Sequence, residues 1–193
     1  MPQIIEYPIV LARMQAQGMV SLYHNSGAFG FGARADPQAV GWIGPEDPTL
    51  RAEAANIVQK IPQPHETNLA RLLVRGWREH LPGPLWLMPM SHWAYELSFA
   101  SRDWMPDLLR QIGIEPTLLE ARNNAAAIEF EDREAPVLEK TALALLSNLT
   151  ASDFVIAFPA RPVLCTLHHH KQLWWTTSDQ LLVQRLRQLP VEL

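Results

Sequence analysis

The chain has 193 residues, 48% apolar and 19% charged, with a formal charge of −4 and a single cysteine. That balance describes a globular chain with a substantial interior rather than a disordered tail. It argues against nucleic-acid binding, which leaves a basic footprint, and one cysteine excludes an internal disulfide or a cysteine-rich zinc module.

The N-terminal MPQIIEYP lacks a basic region followed by an apolar core, and no apolar run approaches the ~18 residues of a membrane span. The expectation is a soluble cytoplasmic protein without a membrane partner. Pro8 to Gln17 reads as an opening helix, with proline suited to its first turn and Gly18 to a left-handed stop. Met19 to His24, Ala28 to Ala33 and Ala39 to Ile43 read as strands of an antiparallel meander, separated by Asn25-Ser26-Gly27 and Asp36-Pro37. Asp47 and Pro48 open a second helix whose stripe would be Leu50, Ala54, Ile57 and Val58. The Pro-rich break at 61–65 ends it. Glu66 to Leu81 is the clearest helix, with Leu69, Leu72, Leu73, Gly76 and Trp77 on one face.

After Pro82-Gly83-Pro84, Leu85 to Met90 looks extended. In His92 to Phe99, Trp93, Tyr95, Leu97 and Phe99 alternate with less apolar residues, the period of a half-buried strand. Asp103 to Ile112 is a short helix closed by Gly113. Leu118 to Ala121 and Ala125 to Glu131 would pair around Arg122-Asn123-Asn124. Pro136 to Leu146 is an amphipathic helix. Phe154 to Phe158, Val163 to His168 and Leu173 to Thr176 are strands, and Ser178 caps a last helix carrying Leu182, Leu186 and Leu189.

Hairpins interspersed with helices, without regular strand–helix alternation, define an α+β fold: a mixed, mainly antiparallel sheet packed by about six helices. The whole chain, 1–193, reads as a single domain with a minor sub-boundary near 61–65.

The candidate sites begin with His168, His169 and His170, placed between two β-rich runs and ahead of Trp174 and Trp175. On a strand, His168 and His170 share one face and His169 takes the other. A catalytic zinc needs a third ligand, and His92 and Glu96, two pleats apart on the expected strand, are the donors to join them. The competing reading is an exposed polar hairpin end. Gly27 to Gly32 lacks the helix and lysine of a phosphate loop. Glu129 and Glu131 share a strand face, where carboxylates are usually solvated rather than paired across a cleft. Cys165 sits in a strand as a small buried hydrophobe. Trp174 and Trp175 must face opposite ways, so one indole is exposed unless both sheet faces are covered, and exposed aromatics mark binding surfaces.

These features predict a cytoplasmic ligand- or protein-binding module without a catalytic motif or a cofactor, its surface built on Trp174 and Trp175. Homodimerisation through an exposed strand or aromatic face is a secondary expectation. The alternative is a metal-dependent hydrolase in which His92, Glu96, His168 and His170 hold zinc or another divalent metal, with Glu96 as ligand or general base.

Overall fold

Pro8 and Gly18 delimit the first helix as expected. In the computed structural model, α1 runs Tyr7–Ala16 with the proline in its first turn, and Gly18 takes the left-handed conformation at φ 66°. The structure describes residues 1–25, 28–31, 42–45, 55–59, 66–119 and 125–189. The expected turns at 26–27, 36–37 and 122–124, the helix start at 47–54 and the sub-boundary at 61–65 lie outside these residues.

The strands are β1 Gln3–Ile5, β2 Met19–Asn25, β3 Ala28–Phe31, β4 Trp42–Pro45, β5 Ala55–Gln59, β6 Leu85–Pro89, β7 Ala127–Phe130, β8 Phe154–Ala157, β9 Val163–His168 and β10 Gln172–Thr177. Beyond α1, the helices are α2 Glu66–His80, α3 Trp93–Tyr95, α4 Met105–Gln111, α5 Ala135–Asn148 and α6 Gln180–Arg187. Seven strands form one sheet in the order β1-β7-β6-β8-β9-β10-β5, and β3-β2-β4 form a smaller one. Every pairing among the described residues is antiparallel. The fold is α+β, in a single domain with six helices among the described residues.

Strand register sorts the large sheet into two faces. Trp175, Cys165, Ile156, Leu87 and Ile128 fall in line from strand to strand and enter the main core, with Leu69, Leu73 and Trp77 of α2, Leu138, Ala142 and Leu145 of α5, and Leu182 and Leu186 of α6. Trp86, Met88, Ala127, Val155, Ala157 and Leu164 point the other way, under Val10 and Met14 of α1. The sheet is therefore covered on both faces along β7, β6, β8 and part of β9. This explains why β6 and β8 are buried at every position instead of alternating. Trp77, Trp93 and Trp175 are all fully buried; burying ~150–250 Å² apiece contributes about 4–6 kcal/mol each of gross transfer free energy before chain entropy is charged against it.

Four expectations need correction. His92 to Phe99 is not a strand: α3 starts at Trp93 and continues as a π-helical turn over Glu96–Ala100, closed by Ser101 N donating to Glu96 O at 2.9 Å. His92 starts it, its Nδ1 accepting from Tyr95 N at 3.0 Å. Trp93 and Leu97, four residues apart, are both buried, while Tyr95 and Phe99 stack on the exposed side. The same residues satisfy period two and the i, i+4 spacing, and the side-chain cap decides between them. Ile57 and Val58 lie not on a helix but on β5, paired with Trp175 and Trp174; Ile57 is buried and Val58 is exposed, as alternation demands. Leu118 belongs to a 3₁₀ turn, Pro116–Leu119, and β7 pairs with β1 and β6 rather than with a local hairpin partner. Asp179, not Ser178, caps α6, with Oδ1 accepting from Leu181 N and Leu182 N at 3.0 Å each.

Candidate functional site

The strands β9 and β10 are joined by a tight turn of three residues, His169, His170 and Lys171, closed by the His168–Gln172 pair. Lys171 N donates to His168 O at 2.9 Å. Lys171 is the one non-glycine residue with positive φ, at 59°, among the described residues. A three-residue hairpin turn requires this left-handed third position. The turn is tied to the start of α2 by an ion pair between Lys171 Nζ and Glu66.

This turn gathers the histidines more tightly than a continuous strand would. Their ligand atoms all lie within 4.8 Å of one another, with His168 buried, His169 half-buried and His170 exposed. His168 ends β9 on the face shared with Trp174, and the two rings stack at 4.1 Å and 15°. Its other side meets His169 at 4.3 Å and 24°. His168 Nδ1 accepts from His170 N at 3.1 Å, so the neutral ring carries its proton on Nε2, 3.7 Å from Asp153 Oδ2. Burial lowers the His168 pKa below the usual histidine value; Asp153 pulls it up, and the neighbouring histidines push it down further.

Asp153 organises the second histidine. Its Oδ1 receives both the backbone N–H of His169 at 2.9 Å and the ring Nδ1 at 2.8 Å. The carboxylate therefore fixes the tautomer with hydrogen on Nδ1 and leaves the His169 Nε2 lone pair unshared. Asp153 is held in turn because its carbonyl accepts from Met90 N at 2.9 Å and Phe154, the next residue, pairs with Leu167.

His92 and Glu96 are engaged elsewhere. His92 Nδ1 caps α3. Glu96 is fully buried and accepts from Ser91 Oγ at 2.6 Å, Ser101 Oγ at 2.9 Å and Ser152 Oγ at 3.0 Å. Among the described residues, the group able to share a metal ion contains the three histidines and neither His92 nor Glu96. His169 was expected on the opposite face; it joins the group because the strand ends at His168 and the turn redirects the following side chains. Asp153 is not legible in the sequence, because nothing local links it to a histidine 16 positions later.

The tryptophan pair divides. Trp175 is fully buried, stacked on Phe158, and donates from Nε1 to Gln59 Oε1 at 2.8 Å. Trp174 is 37% exposed beside Val58, 44% exposed on the paired strand. Cys165 is buried, and burial pushes its thiol pKa well above the ordinary value. Glu129 accepts from Trp86 Nε1 at 2.9 Å, while Glu131 lies beyond the end of β7 and pairs with Arg133 at 2.8 Å. No described helix is long and apolar enough to cross a membrane. Comparison with protein-family models, with curated proteins and with solved structures finds no match to the chain.

Proposed function

We propose that the chain is a cytoplasmic binding module whose ligand is a divalent transition-metal ion, held at the β9–β10 turn. The observation that carries this reading is the Asp153–His169 bond at 2.8 Å, which leaves Nε2 as the acceptor nitrogen of a ring belonging to a cluster of three histidines, each with a ring nitrogen within 4.8 Å of the others. Metal-ligating histidines typically donate their other ring N–H to such a carboxylate, which orients the ring and raises its basicity. His169 Nε2 and a ring nitrogen of His170 supply the ligands. His168, with Nδ1 already accepting a backbone proton, supports them by stacking between Trp174 and His169. Imidazole donors suit zinc, copper and nickel better than magnesium or calcium, which prefer oxygen.

Trp174 belongs to this site as the aromatic wall behind His168. Binding is favoured over hydrolysis because Glu96, the expected general base, is buried with both oxygens accepting serine hydroxyls. The test is calorimetric titration of tag-free, metal-stripped protein with zinc and with copper. One ion per chain is expected, lost in His169→Ala and in His170→Ala. Asp153→Asn should weaken it by about 10–100-fold, the usual effect of removing such a partner. Absence of binding, or binding indifferent to His169→Ala and His170→Ala, would refute the reading.

A further inference from the structure

The face of α2 turned away from the core carries a second concentration of chemistry. A cleft of about 470 Å³ runs along this helix beside α5, lined by Asn68, Arg71, Arg75, Arg78 and Glu79 of α2 and by Glu139 of α5. Its volume falls within the ~300–1,000 Å³ of small-molecule sites. The polar positions recur at spacings of three, four and three, so they form one stripe. From Arg71 to Arg78 that stripe climbs about 10 Å at ~1.5 Å per residue.

Among the described residues three guanidinium groups face two carboxylates here, a locally positive lining on a chain whose formal charge is −4. Glu139 does not grip Arg71 closely, and Glu79 is a distant neighbour of Arg75, which also has other contacts. Arg71 Nε stands 3.5 Å from Glu139 Oε1, and Arg75 Nε 3.8 Å from Glu79 Oε1. Both exceed the ~2.7–2.9 Å of a charged hydrogen bond. Arg78 has no ion-pair partner among the described residues. Like charges at i, i+4 and i+7 oppose helix formation unless something neutralises them, and planar guanidinium forks match phosphate oxygens.

We propose that this cleft binds a small ligand carrying more than one phosphate group. A single phosphate reaches only part of a 10 Å row (again taking ~1.5 Å per residue), and it must compete with Glu79 and Glu139 for two of the three arginines. A polyphosphate spans the row and displaces both carboxylates. This site is independent of the histidine turn.

The test uses inorganic tripolyphosphate as probe, with inorganic phosphate as comparison, against the full chain at low ionic strength. The readouts are calorimetry and the shift of thermal midpoint. Tripolyphosphate should bind one to one, raise the midpoint and weaken with added salt. Phosphate should bind at least about tenfold more weakly, as expected when a charged hydrogen bond or two is lost. Arg75→Gln/Arg78→Gln should cost a similar factor, and Glu139→Gln, which removes a competitor, should tighten binding a few-fold. His169→Ala/His170→Ala should leave it unchanged. No binding, equal affinity in the double arginine variant, or no gain in Glu139→Gln would each overturn the proposal. Because Glu139 is only half-buried on α5, that variant still decides the matter if the arginine variant unfolds.

Discussion

Glu96→Ala removes both acceptor oxygens from a site where three segments of chain meet. Ser91 follows β6, Ser101 follows the π-helical turn, and Ser152 precedes β8; their hydroxyls reach Glu96 at 2.6, 2.9 and 3.0 Å. Ser101 and Ser152 are themselves buried. Hydrogen bonds to a charged group contribute about 1.5–3 kcal/mol each, so the gross loss is about 5–9 kcal/mol. Against this, the substitution relieves the desolvation of a buried carboxylate, a matter of several kcal/mol, while the vacated side-chain volume adds a cavity cost. The net expectation is about 3–5 kcal/mol of destabilisation, in line with the breaking of other buried charged networks. Total stabilities of about 5–15 kcal/mol make that a large fraction. Glu96→Gln keeps the volume and one carbonyl acceptor, and a serine hydroxyl can turn to accept from the amide, so it should cost about 1–2 kcal/mol. Urea unfolding followed by tryptophan fluorescence measures both, with an unchanged slope as the sign of two-state comparison. Were Glu96 on the solvated face of a strand, as the alternating pattern of His92 to Phe99 suggests, both changes would fall within about 0.5 kcal/mol of zero. That result, or an alanine variant no less stable than the glutamine one, would refute the reasoning.

Other consequences are as direct. Asp179→Ala should destabilise by about 1 kcal/mol through loss of the α6 cap, while Ser178→Ala stays within about 0.5 kcal/mol; reversal of that order in thermal melts would return the cap to Ser178. Cys165 should resist aromatic disulfide reagents in the folded protein and react only on unfolding, and rapid native labelling would contradict its burial. Burial raises the folded thiol pKa above the unfolded value, so the folded state holds its proton where the unfolded state has lost it. Its stability contribution is complete below about pH 8.5 and declines as pH rises beyond that. Urea midpoints should therefore fall on the alkaline side less steeply in Cys165→Ala than in the parent chain, and parallel falls would remove the thiol as the cause. In a Glu66→Gln background, which already lacks the ion pair to the turn, Lys171→Gly should raise stability by about 0.5–1 kcal/mol by relieving the left-handed backbone. A drop there would mean that Lys171 has a favourable contact other than Glu66.

The sequence was most readable where one pattern alone fitted. The α2 stripe from Leu69 to Trp77 has only a helical solution, and β8, β9 and β10 are short apolar runs bounded by Pro-, Arg- and turn-rich segments. Reading failed where two periods fitted the same residues. Trp93, Tyr95, Leu97 and Phe99 are spaced at two and also pair at four, and the deciding His92 cap lies in a single side-chain nitrogen. Ile57 and Val58 resemble one edge of a helical stripe, but non-local pairing with β10 takes them into the sheet. β1 is only three residues long and has no local signature; it is a strand because β7 offers it an edge. Half of the site was visible in the same way. The histidine triplet and Trp174 stand out in the chain, whereas Asp153 reaches His169 only through the β8–β9 register.

That register also accounts for why the site sits where it does. Pairing Phe154 with Leu167 brings Asp153 level with the end of β9, and Met90 N extends the contact from β6. Ser152 and Asp153 are consecutive: the first donates to Glu96 and the second receives His169. The buried carboxylate and the histidine turn therefore share one stretch of backbone, so the carboxylate that orients His169 is anchored by strand pairing on one side and a hydrogen-bonded core on the other. Sites held this way keep their geometry better than sites built on unsupported loops. A slip of one residue between β8 and β9 would reverse the β9 faces relative to β8, taking Asp153 off His169 and Cys165 out of the core together, while the His168–Trp174 stack stays with the β9–β10 hairpin. The turn's chemistry is in this sense a product of the sheet, because the apolar residues that fix the register also aim the imidazoles.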